Sequence, residues 1–451
     1  MPSRIDAILA IALLAISCES AAKPSASETV APTAAVASPA PSRSAPPAGA
    51  QSAGAVPDAG VLYVQDSVDL IYRYDGASGR LDVAWRNSTF DRATGEGTYV
   101  VGRHGGLTLL RWDGVTADVS CGTGFGGVAP NGACVSSGTD GVFVRLPGER
   151  SPRLVLPADW HAGAVAWSPQ GDRLLLTRAV RQRPGPGLDP GQSALWVLEN
   201  DGRLRELYRP APQGVLTRLR WSPDGRSAIV WQVETTSNSF AADGVGISAL
   251  LVDVDRSSVT NLGRVFSAQP QWSPDGTLAY IRDSGGGRFT WDSKELVVRR
   301  RDGSERIARA PTEEPRVALA PAWDPARGRL AWVSGPRLPG SGNGDGYIDG
   351  AGAGKRVGVI EDGTRSFELS CPDARVVEGV RWSSDGNALL LLCRKVGTDP
   401  RPLELWLHRL GDGSTDRLVT GLAGDSVAAG FGFYGLQPSL FSIVTWSRAV
   451  P

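Results

Sequence analysis

One stretch of the sequence combines residue types and a spacing that could bind a metal ion. In the segment SGNGDGYIDG, Ser341, Asn343, Asp345 and Asp349 place side-chain oxygens around a glycine turn. Oxygen ligands around a sharp glycine turn suit a hard cation such as Ca²⁺. Ser341 replaces a charged ligand, and no glutamate lies three residues beyond Asp349, so a hairpin without metal is the alternative. No other cofactor is expected.

Acid–base and nucleophilic chemistry have weaker support in the sequence. The three histidines, His104, His161 and His408, are far apart along the chain. This scatter disfavours a His-rich metal site and limits acid–base catalysis near neutral pH. No Gly-x-Ser-x-Gly nucleophile elbow occurs. The sequence therefore favours a non-catalytic protein and leaves an enzyme as the alternative.

The N-terminus has the pattern of an export signal. Arg4 precedes an unbroken apolar run from Ala7 to Ile16, and Ser17 and Cys18 follow that run. Ten apolar residues suit a signal peptide and are too few to span a bilayer. The segment resembles a bacterial lipoprotein signal, which implies cleavage before Cys18 and lipid attachment to its thiol. An ordinary secretory signal that is cut slightly later is the alternative.

The composition changes abruptly after this signal. Residues 18–60 consist largely of Ala, Ser, Pro, Gly and Thr, with too little bulky apolar surface to offset chain entropy. The sequence therefore predicts a signal peptide at residues 1–17, a disordered tether at 18–60 and a folded domain at 61–451. The protein is expected to be exported and held on a bacterial membrane, at the cell surface or on the periplasmic face.

A tryptophan-containing motif repeats along the folded domain. Trp-Ser-Pro-Asp-Gly occurs twice, and three variants of it precede or follow at spacings of 51 to 59 residues. Proline and aspartate favour a tight turn, and glycine adopts the left-handed conformation that closes a hairpin. Because some copies lack the aspartate, that residue is interpreted as structural. The copies begin at Trp167, Trp221, Trp272, Trp323 and Trp382.

These repeats resemble the WD40-like, TolB-type β-propeller family over residues 61–451. The resemblance implies an all-β fold in which four-stranded antiparallel blades surround a central channel. Each repeat predicts strand, tight turn, strand, variable loop, strand, tight turn and strand. If strands from both chain ends complete one blade, the prediction is eight blades, and seven is the alternative.

The predicted topology also orients the cysteines. Apart from Cys18, they form an even set, Cys121, Cys134, Cys371 and Cys393, which suits disulfides in an oxidising compartment. Cys371 precedes the first strand of its blade and Cys393 ends the second, so both lie at one end of a hairpin. A Cys371–Cys393 bond is predicted, and a Cys121–Cys134 bond follows less directly. Four buried free thiols are the alternative.

The long loops of the predicted blades share one rim. First-to-second and third-to-fourth turns are short and lie on one rim, whereas second-to-third loops are long and unlike one another. Variable loops on a rigid scaffold are where binding usually occurs, although glycine-rich insertions without function are the alternative. The candidate binding residues on this rim are Arg181, Arg183, Asn238, Phe240, Arg337 and Tyr347.

Charge excludes one class of partner. Lys plus Arg equals Asp plus Glu at 47 each, so no basic surplus is present to bind a nucleic-acid backbone. The predicted function is that of a monomeric, non-catalytic envelope lipoprotein that binds a protein or glycan through the loop-rich rim. The alternative is a surface-exposed enzyme, a carbohydrate- or peptide-active hydrolase or lyase with its site at the channel mouth.

Overall fold

The structure is a computed structural model, and the part of the chain that it describes is almost wholly β. It describes residues 49–67, 70–86, 90–95, 98–103, 106–111, 116–118, 125–129, 131–138, 140–157, 161–181, 188–211, 214–234, 247–266, 270–283, 294–308, 316–336, 354, 356–361, 364–395, 402–422 and 444–447. One 3-10 turn, η1 (Pro57–Ala59), is the only helix within these ranges. No helix there is long and apolar enough to cross a membrane. The prediction of an all-β fold is confirmed.

The strands are short and follow one another closely along the chain. In the first part they are β1 (Gln51–Ser52), β2 (Val61–Ser67), β3 (Leu70–Asp75), β4 (Arg80–Arg86), β5 (Phe90–Gly95), β6 (Thr98–Arg103), β7 (Gly106–Arg111), β8 (Thr116–Asp118), β9 (Phe125–Val128), β10 (Cys134–Gly138), β11 (Gly141–Arg145), β12 (Arg153–Leu156), β13 (His161–Trp167), β14 (Leu174–Arg181), β15 (Leu188–Leu198) and β16 (Leu204–Tyr208).

The second part of the chain continues the same pattern. Its strands are β17 (Gly214–Trp221), β18 (Ser227–Glu234), β19 (Ile247–Asp253), β20 (Ser258–Val265), β21 (Gln271–Trp272), β22 (Leu278–Asp283), β23 (Lys294–Arg299), β24 (Glu305–Ala308), β25 (Arg316–Trp323), β26 (Leu330–Pro336), β27 (Arg356–Glu361), β28 (Thr364–Leu369), β29 (Val376–Trp382), β30 (Ala388–Arg394), β31 (Leu403–Arg409), β32 (Thr415–Leu422) and β33 (Val444–Ser447).

Antiparallel pairing joins the described strands into seven sheets. Four of these sheets are four-stranded meanders of consecutive strands, namely β5–β8, β9–β12, β13–β16 and β25–β28. The β29–β32 meander carries β1 as a fifth strand on its β32 edge. An eight-stranded sheet contains two meanders, β17–β20 and β21–β24, which are joined by one residue pair, Val265 with Arg282.

The two ends of the chain meet in the seventh sheet. Its strand order is β33-β2-β3-β4, and Trp446 of β33 lies opposite Leu62 of β2. The C-terminal strand therefore supplies the first strand of a meander whose other strands come from the N-terminal part. The prediction that strands from both chain ends share one sheet is confirmed.

The core lies between neighbouring sheets. Of six apolar clusters in the described residues, five take their side chains from two adjacent sheets, and the sixth lies between the two meanders of the eight-stranded sheet. Successive side chains of a strand point to opposite faces, so a central strand serves two interfaces. In β14, Leu174 and Leu176 pack against the preceding sheet, and Leu175 packs against the following one. This double burial explains why the second strands read as continuous apolar runs.

The repeated motif forms a hydrogen-bonded turn. The Ser222 hydroxyl donates to Asp224 Oδ1 at 2.7 Å, and the same oxygen accepts the Arg226 N–H at 3.1 Å. Gly225 has a φ of 66°, the left-handed conformation that the turn requires. Burial opposes ionisation of Asp224, but the hydrogen bonds from Ser222 and Arg226 outweigh it and lower the pKa of that carboxyl. The interpretation of the motif aspartate as structural is confirmed.

The motif tryptophans attach each sheet to the one before it. In three copies the indole N–H donates to the backbone carbonyl of the residue that precedes the tryptophan of the previous copy. These pairs are Trp221 to Ala166 at 2.8 Å, Trp323 to Gln271 at 3.2 Å and Trp382 to Ala322 at 3.1 Å. In the described part of the chain, the buried indole nitrogen of Trp272 has no such acceptor.

This difference gives a matched pair of variants. Trp382→Phe is expected to lower the free energy of unfolding by about 1–3 kcal/mol, because the Ala322 carbonyl loses a buried donor. Trp272→Phe is the control, since it makes the same change in ring size without removing a hydrogen bond to a described residue. Urea denaturation measures both variants. An equal loss of stability in the two would contradict a contribution from the indole hydrogen bond.

The structure contains the predicted Cys371–Cys393 disulfide. The two Cα atoms are 6.1 Å apart, and the bond joins the segment before β29 to the end of β30. Cys134 is also disulfide-bonded. Cys121 and Cys18 lie outside the described residues, so their pairing and lipidation stay predictions.

The structure also shows order where the sequence predicts the end of the tether. Residues 49–60 include β1, which pairs with β32, and η1, in which Ala59 is fully buried. The sequence predicts a tether here because this segment has few bulky apolar residues. Backbone pairing to the edge of a sheet does not require such residues, which explains the difference.

Candidate functional site

The two ends of the sheets are distinguished by the turns that they carry. Arg173, beside the first turn of its sheet, forms an ion pair at 2.7 Å with Asp255 in the last turn of the next meander, β17–β20. Asp224, in the first turn of its sheet, pairs at 3.0 Å with Arg301 in the last turn of the following meander. Both kinds of short turn therefore lie at one end, here called the turn-bearing end. The predicted arrangement of the turns is confirmed.

The second-to-third connections lie at the opposite end, here called the loop-bearing end, because neighbouring strands are antiparallel. Arg181 is the last residue of β14, so it lies at this end. The other predicted rim and calcium residues fall outside the described residues and stay predictions. They are Arg183, Asn238, Phe240, Arg337, Tyr347, Ser341, Asn343, Asp345 and Asp349. No group of three potential metal-ligating side chains occurs within the described ranges.

A buried ion pair lies near the loop-bearing end. Glu378, the third residue of β29, is fully buried, and Arg394, the last residue of β30, is 2% exposed. Arg394 Nε donates to Glu378 Oε1. Moving two such charges out of water costs several kcal/mol per ion, and good geometry must compensate for it. A buried charged pair is therefore a candidate functional feature of this end.

A β-bulge and a disulfide position this pair. The register of β29 against β30 shifts between Val377 and Gly379, so Glu378 has no partner directly opposite. A bulge of this kind redirects a side chain. Cys393 lies opposite Val377 and immediately precedes Arg394, so its disulfide secures the same end of the hairpin.

A second group of charged residues lies at the same end, on the β22–β23 hairpin. Asp283 ends β22 and lies opposite Lys294, which begins β23. Lys294 is 2% exposed, and its Nζ is 4.4 Å from the centroid of the Phe266 ring, within the range of a cation–π interaction. The buried carboxylate of Asp283 is 3.5 Å from Nη1 of the exposed Arg264. The loop-bearing end thus combines buried ions of both signs.

The buried ion pair at the turn-bearing end has a structural role. Arg329 Nε donates to Asp324 Oδ2 at 2.7 Å, and its guanidinium lies 4.4 Å from the centroid of the Trp382 ring in the next sheet. Arg329 also donates to the Gly386 carbonyl of that sheet. These contacts join two neighbouring sheets and account for the burial of both charges.

His408 also belongs to the structural framework. Its Nδ1 lies 2.8 Å from the Thr415 hydroxyl, a distance that a catalytic base and a nucleophile could have. The two residues are direct cross-strand partners on β31 and β32, beside the short turn that joins these strands. Burial lowers the pKa of His408, and the charge of Asp412 only partly opposes this effect.

The lowered pKa of His408 predicts a pH-dependent stability. The unfolded chain takes up the proton near the ordinary value of 6.5, whereas the folded chain does so only at lower pH. The free energy of unfolding should therefore fall as the pH drops from 6.5 towards the folded pKa. Urea midpoints at pH 7.5, 6.5 and 5.5 measure this loss. His408→Gln should reduce it, and parallel pH profiles for wild type and variant would contradict the assignment.

The sequence contains a signal for these buried charges that belongs to none of the repeated motifs. Glu378 interrupts the apolar run VVEGV, and Arg394 follows LLLLC. A charge within or beside an apolar run of a strand is often buried, and buried charges require a partner. Both residues carry this signal. Only their spatial pairing required the structure.

Comparison with known proteins identifies the fold. No protein-family model matches the sequence, and no curated protein matches it. Similar solved structures include dipeptidyl peptidase 4 of Porphyromonas gingivalis, with a TM-score of 0.53, 11% identity, and coverage of 82% of this chain and 59% of that chain. The dihydro-haem d1 dehydrogenase NirN has a TM-score of 0.48, 14% identity, and coverage of 82% and 76%. A puromycin-hydrolysing peptidase of Mycobacterium tuberculosis has a TM-score of 0.40, 14% identity, and coverage of 83% and 56%.

The similarity to the Porphyromonas gingivalis structure supports the β-propeller fold and corrects the predicted function. This chain spans a little over half the length of the two peptidases, 59% and 56%. The prediction of a non-catalytic binding protein is contradicted, because the structure with a TM-score of 0.53 is a peptidase. The alternative of an enzyme agrees better with this comparison. The TolB-type family assignment stays a resemblance, since no family model matches.

Proposed function

We propose that this chain is the β-propeller of a peptide-active enzyme and that peptide substrate binds at the loop-bearing end. The proposal rests on the buried charges at that end. Among them, the Glu378–Arg394 pair is the most deeply buried. The Porphyromonas gingivalis peptidase, which shares the fold, supports the substrate class.

The chemistry of a peptide suits such an end. A peptide carries an ammonium and a carboxylate at its termini and amide dipoles between them. Fixed charges of both signs in a poorly solvated setting interact strongly with these groups. At the turn-bearing end, the ion pairs Arg173–Asp255 and Asp224–Arg301 join neighbouring meanders, and Asp324–Arg329 lies within a turn. These pairs have structural roles. The loop-bearing end is therefore the better candidate for substrate binding.

His161 is the proposed acid–base residue. It is the first residue of β13, and the start of a first strand lies at the loop-bearing end. A positioned histidine typically accelerates proton transfer by about 10²- to 10⁴-fold. His408 lies towards the other end and is the matched control, because it is a histidine of the framework.

The test is peptide turnover by the purified full chain. The protein is incubated with a mixture of peptides that have free or blocked N-termini, and mass spectrometry follows the products. We expect turnover that falls about 100-fold or more in His161→Gln and stays within about twofold in His408→Gln. Cleavage of an oligosaccharide mixture with no peptide consumed would overturn the proposal, as would no product from either mixture.

We further propose that the sheets form a closed ring of eight blades. The eight-stranded sheet counts as two blades, and the β33–β2 pairing supplies the closure. Two arginines at matching positions support this ring, since Arg220 donates to Pro270 O at 2.5 Å and Arg381 donates to Val444 O. Each acceptor lies two residues before a tryptophan, Trp272 or Trp446, at the start of the next meander. The position of β33 therefore matches that of a first strand.

Export and attachment to a membrane through the lipidated Cys18 remain part of the proposal. They are supported by the apolar run that precedes Cys18 and by the presence of disulfides. This location would place the loop-bearing end in contact with peptides outside the cytoplasm.

A further inference from the structure

Residues 49–60, here called the clasp, cross the junction between the β29–β32 sheet and the β33-β2-β3-β4 sheet. We propose that the clasp locks this junction, so that its loss releases β33 before the rest of the fold loosens. This inference does not depend on the proposed peptide activity, and it concerns the stability of the closure.

The clasp is attached to the β29–β32 sheet by pairing and by charge. Gln51 and Ser52 form β1 on the β32 edge, and the Ala53 N–H donates to Leu418 O at 3.0 Å. Later in the clasp, the Asp58 carboxylate accepts two hydrogen bonds from Arg409, from Nε at 2.5 Å and from Nη2 at 2.6 Å. A bidentate arginine–carboxylate pair is among the stronger side-chain contacts. The clasp is thus anchored to this sheet at both of its ends.

The clasp is also attached to the β33-β2-β3-β4 sheet. The Val56 N–H donates to Gly76 O at 2.9 Å, and the Gly76 N–H donates to Gly60 O at 2.7 Å. The Tyr74 hydroxyl donates to the carbonyl of Gly54 at 2.8 Å. A Cβ on Gly76 would lie 2.5 Å from the Val56 carbonyl oxygen and 2.8 Å from that of Gly60. Glycine at position 76 is therefore required for the close approach of the clasp.

The closing strand depends directly on the clasp. β33 has four residues and pairs with β2 alone in the described part of the chain. The Trp446 indole N–H donates to Ala59 O of the clasp at 2.7 Å. Ala59 and Val56 are buried in the same apolar cluster as Val444 of β33. Displacing the clasp therefore removes both a hydrogen bond and apolar cover from a strand too short to hold by pairing alone.

Two substitutions in the full chain test this proposal through hydrogen–deuterium exchange. Asp58→Asn removes the ion pair with Arg409, and Gly76→Ala creates a clash with the clasp backbone. In both variants, exchange of residues 444–447 should accelerate at least tenfold, whereas exchange of β19 should stay within twofold of wild type. Asp82→Asn, which breaks the exposed pair with Arg80 at 2.9 Å, is the matched control and should change neither segment.

Three results would overturn the proposal. The first is unchanged exchange of residues 444–447 in both variants. The second is equal acceleration in β33 and β19, which would mean that the whole fold loosens together. The third is an acceleration in the Asp82→Asn control that matches the one in Asp58→Asn, which would show that any lost ion pair acts alike.

Discussion

Replacing Glu378 by alanine is expected to lower the free energy of unfolding by about 3–5 kcal/mol. The substitution leaves the guanidinium of Arg394 buried without the carboxylate that it contacts, and Arg394 is only 2% exposed. An uncompensated buried charge is among the most destabilising changes that a single residue can cause. Urea denaturation of the wild type and of Glu378→Ala measures this loss as a shift of the unfolding midpoint at an unchanged m-value.

A double variant separates the charge effect from packing. In Glu378→Leu/Arg394→Met both charges are absent, and apolar side chains of similar volume fill the site. Replacing a whole buried ion pair in this way is often neutral for stability. The double variant should therefore recover most of the stability that Glu378→Ala loses. If it is as unstable as the single variant, the pair does not act through its buried charge.

Removing the Cys371–Cys393 disulfide is expected to lower the free energy of unfolding by about 3 kcal/mol. The bond closes a segment with a sequence separation of 22 residues, and its loss increases the conformational freedom of the unfolded chain. Both sulfurs are buried, so Cys371→Ala/Cys393→Ala changes little at the surface. Thermal or urea unfolding without reductant compares this double variant with the wild type.

Reductant provides the control for this prediction. Cys134 is also disulfide-bonded, so reducing the wild type affects more than one bond. The double variant is therefore measured with and without reductant, which isolates the contribution of the remaining bond. Equal unfolding midpoints for wild type and double variant without reductant would contradict a stabilising role for Cys371–Cys393.

The sequence predicted the repeating framework because each copy encodes its own turn. Ser222, Asp224 and Gly225 form their hydrogen bonds within a few residues of one another, so the local pattern was sufficient. β33, the strand that completes the β33-β2-β3-β4 sheet, carries only part of the repeated motif. Trp446 is followed by a serine, as in the repeated motif, but no turn sequence follows it. Its pairing with β2 is a contact between chain ends that no local pattern specifies.

The candidate site was less predictable, for physical reasons that differ between its parts. The approach of Arg394 to Glu378 depends on a one-residue bulge in β29, and register shifts leave no clear trace in residue types. The sequence places the clasp in the tether because its composition offers little apolar surface to bury. Backbone hydrogen bonds and the contact of Asp58 with Arg409 keep the clasp in place. Amino-acid composition reveals neither of these contacts.

The most direct test of the proposed function is to locate bound peptide on the full chain by hydrogen–deuterium exchange. Exchange is compared with and without the peptide mixture, and His161→Gln is used to slow turnover during labelling. We expect slower exchange at the loop-bearing ends of the hairpins, in residues 376–379, 391–395 and 294–296. Protection confined to the turns at residues 222–227 and 383–387, or no protection anywhere, would contradict a peptide site at the loop-bearing end.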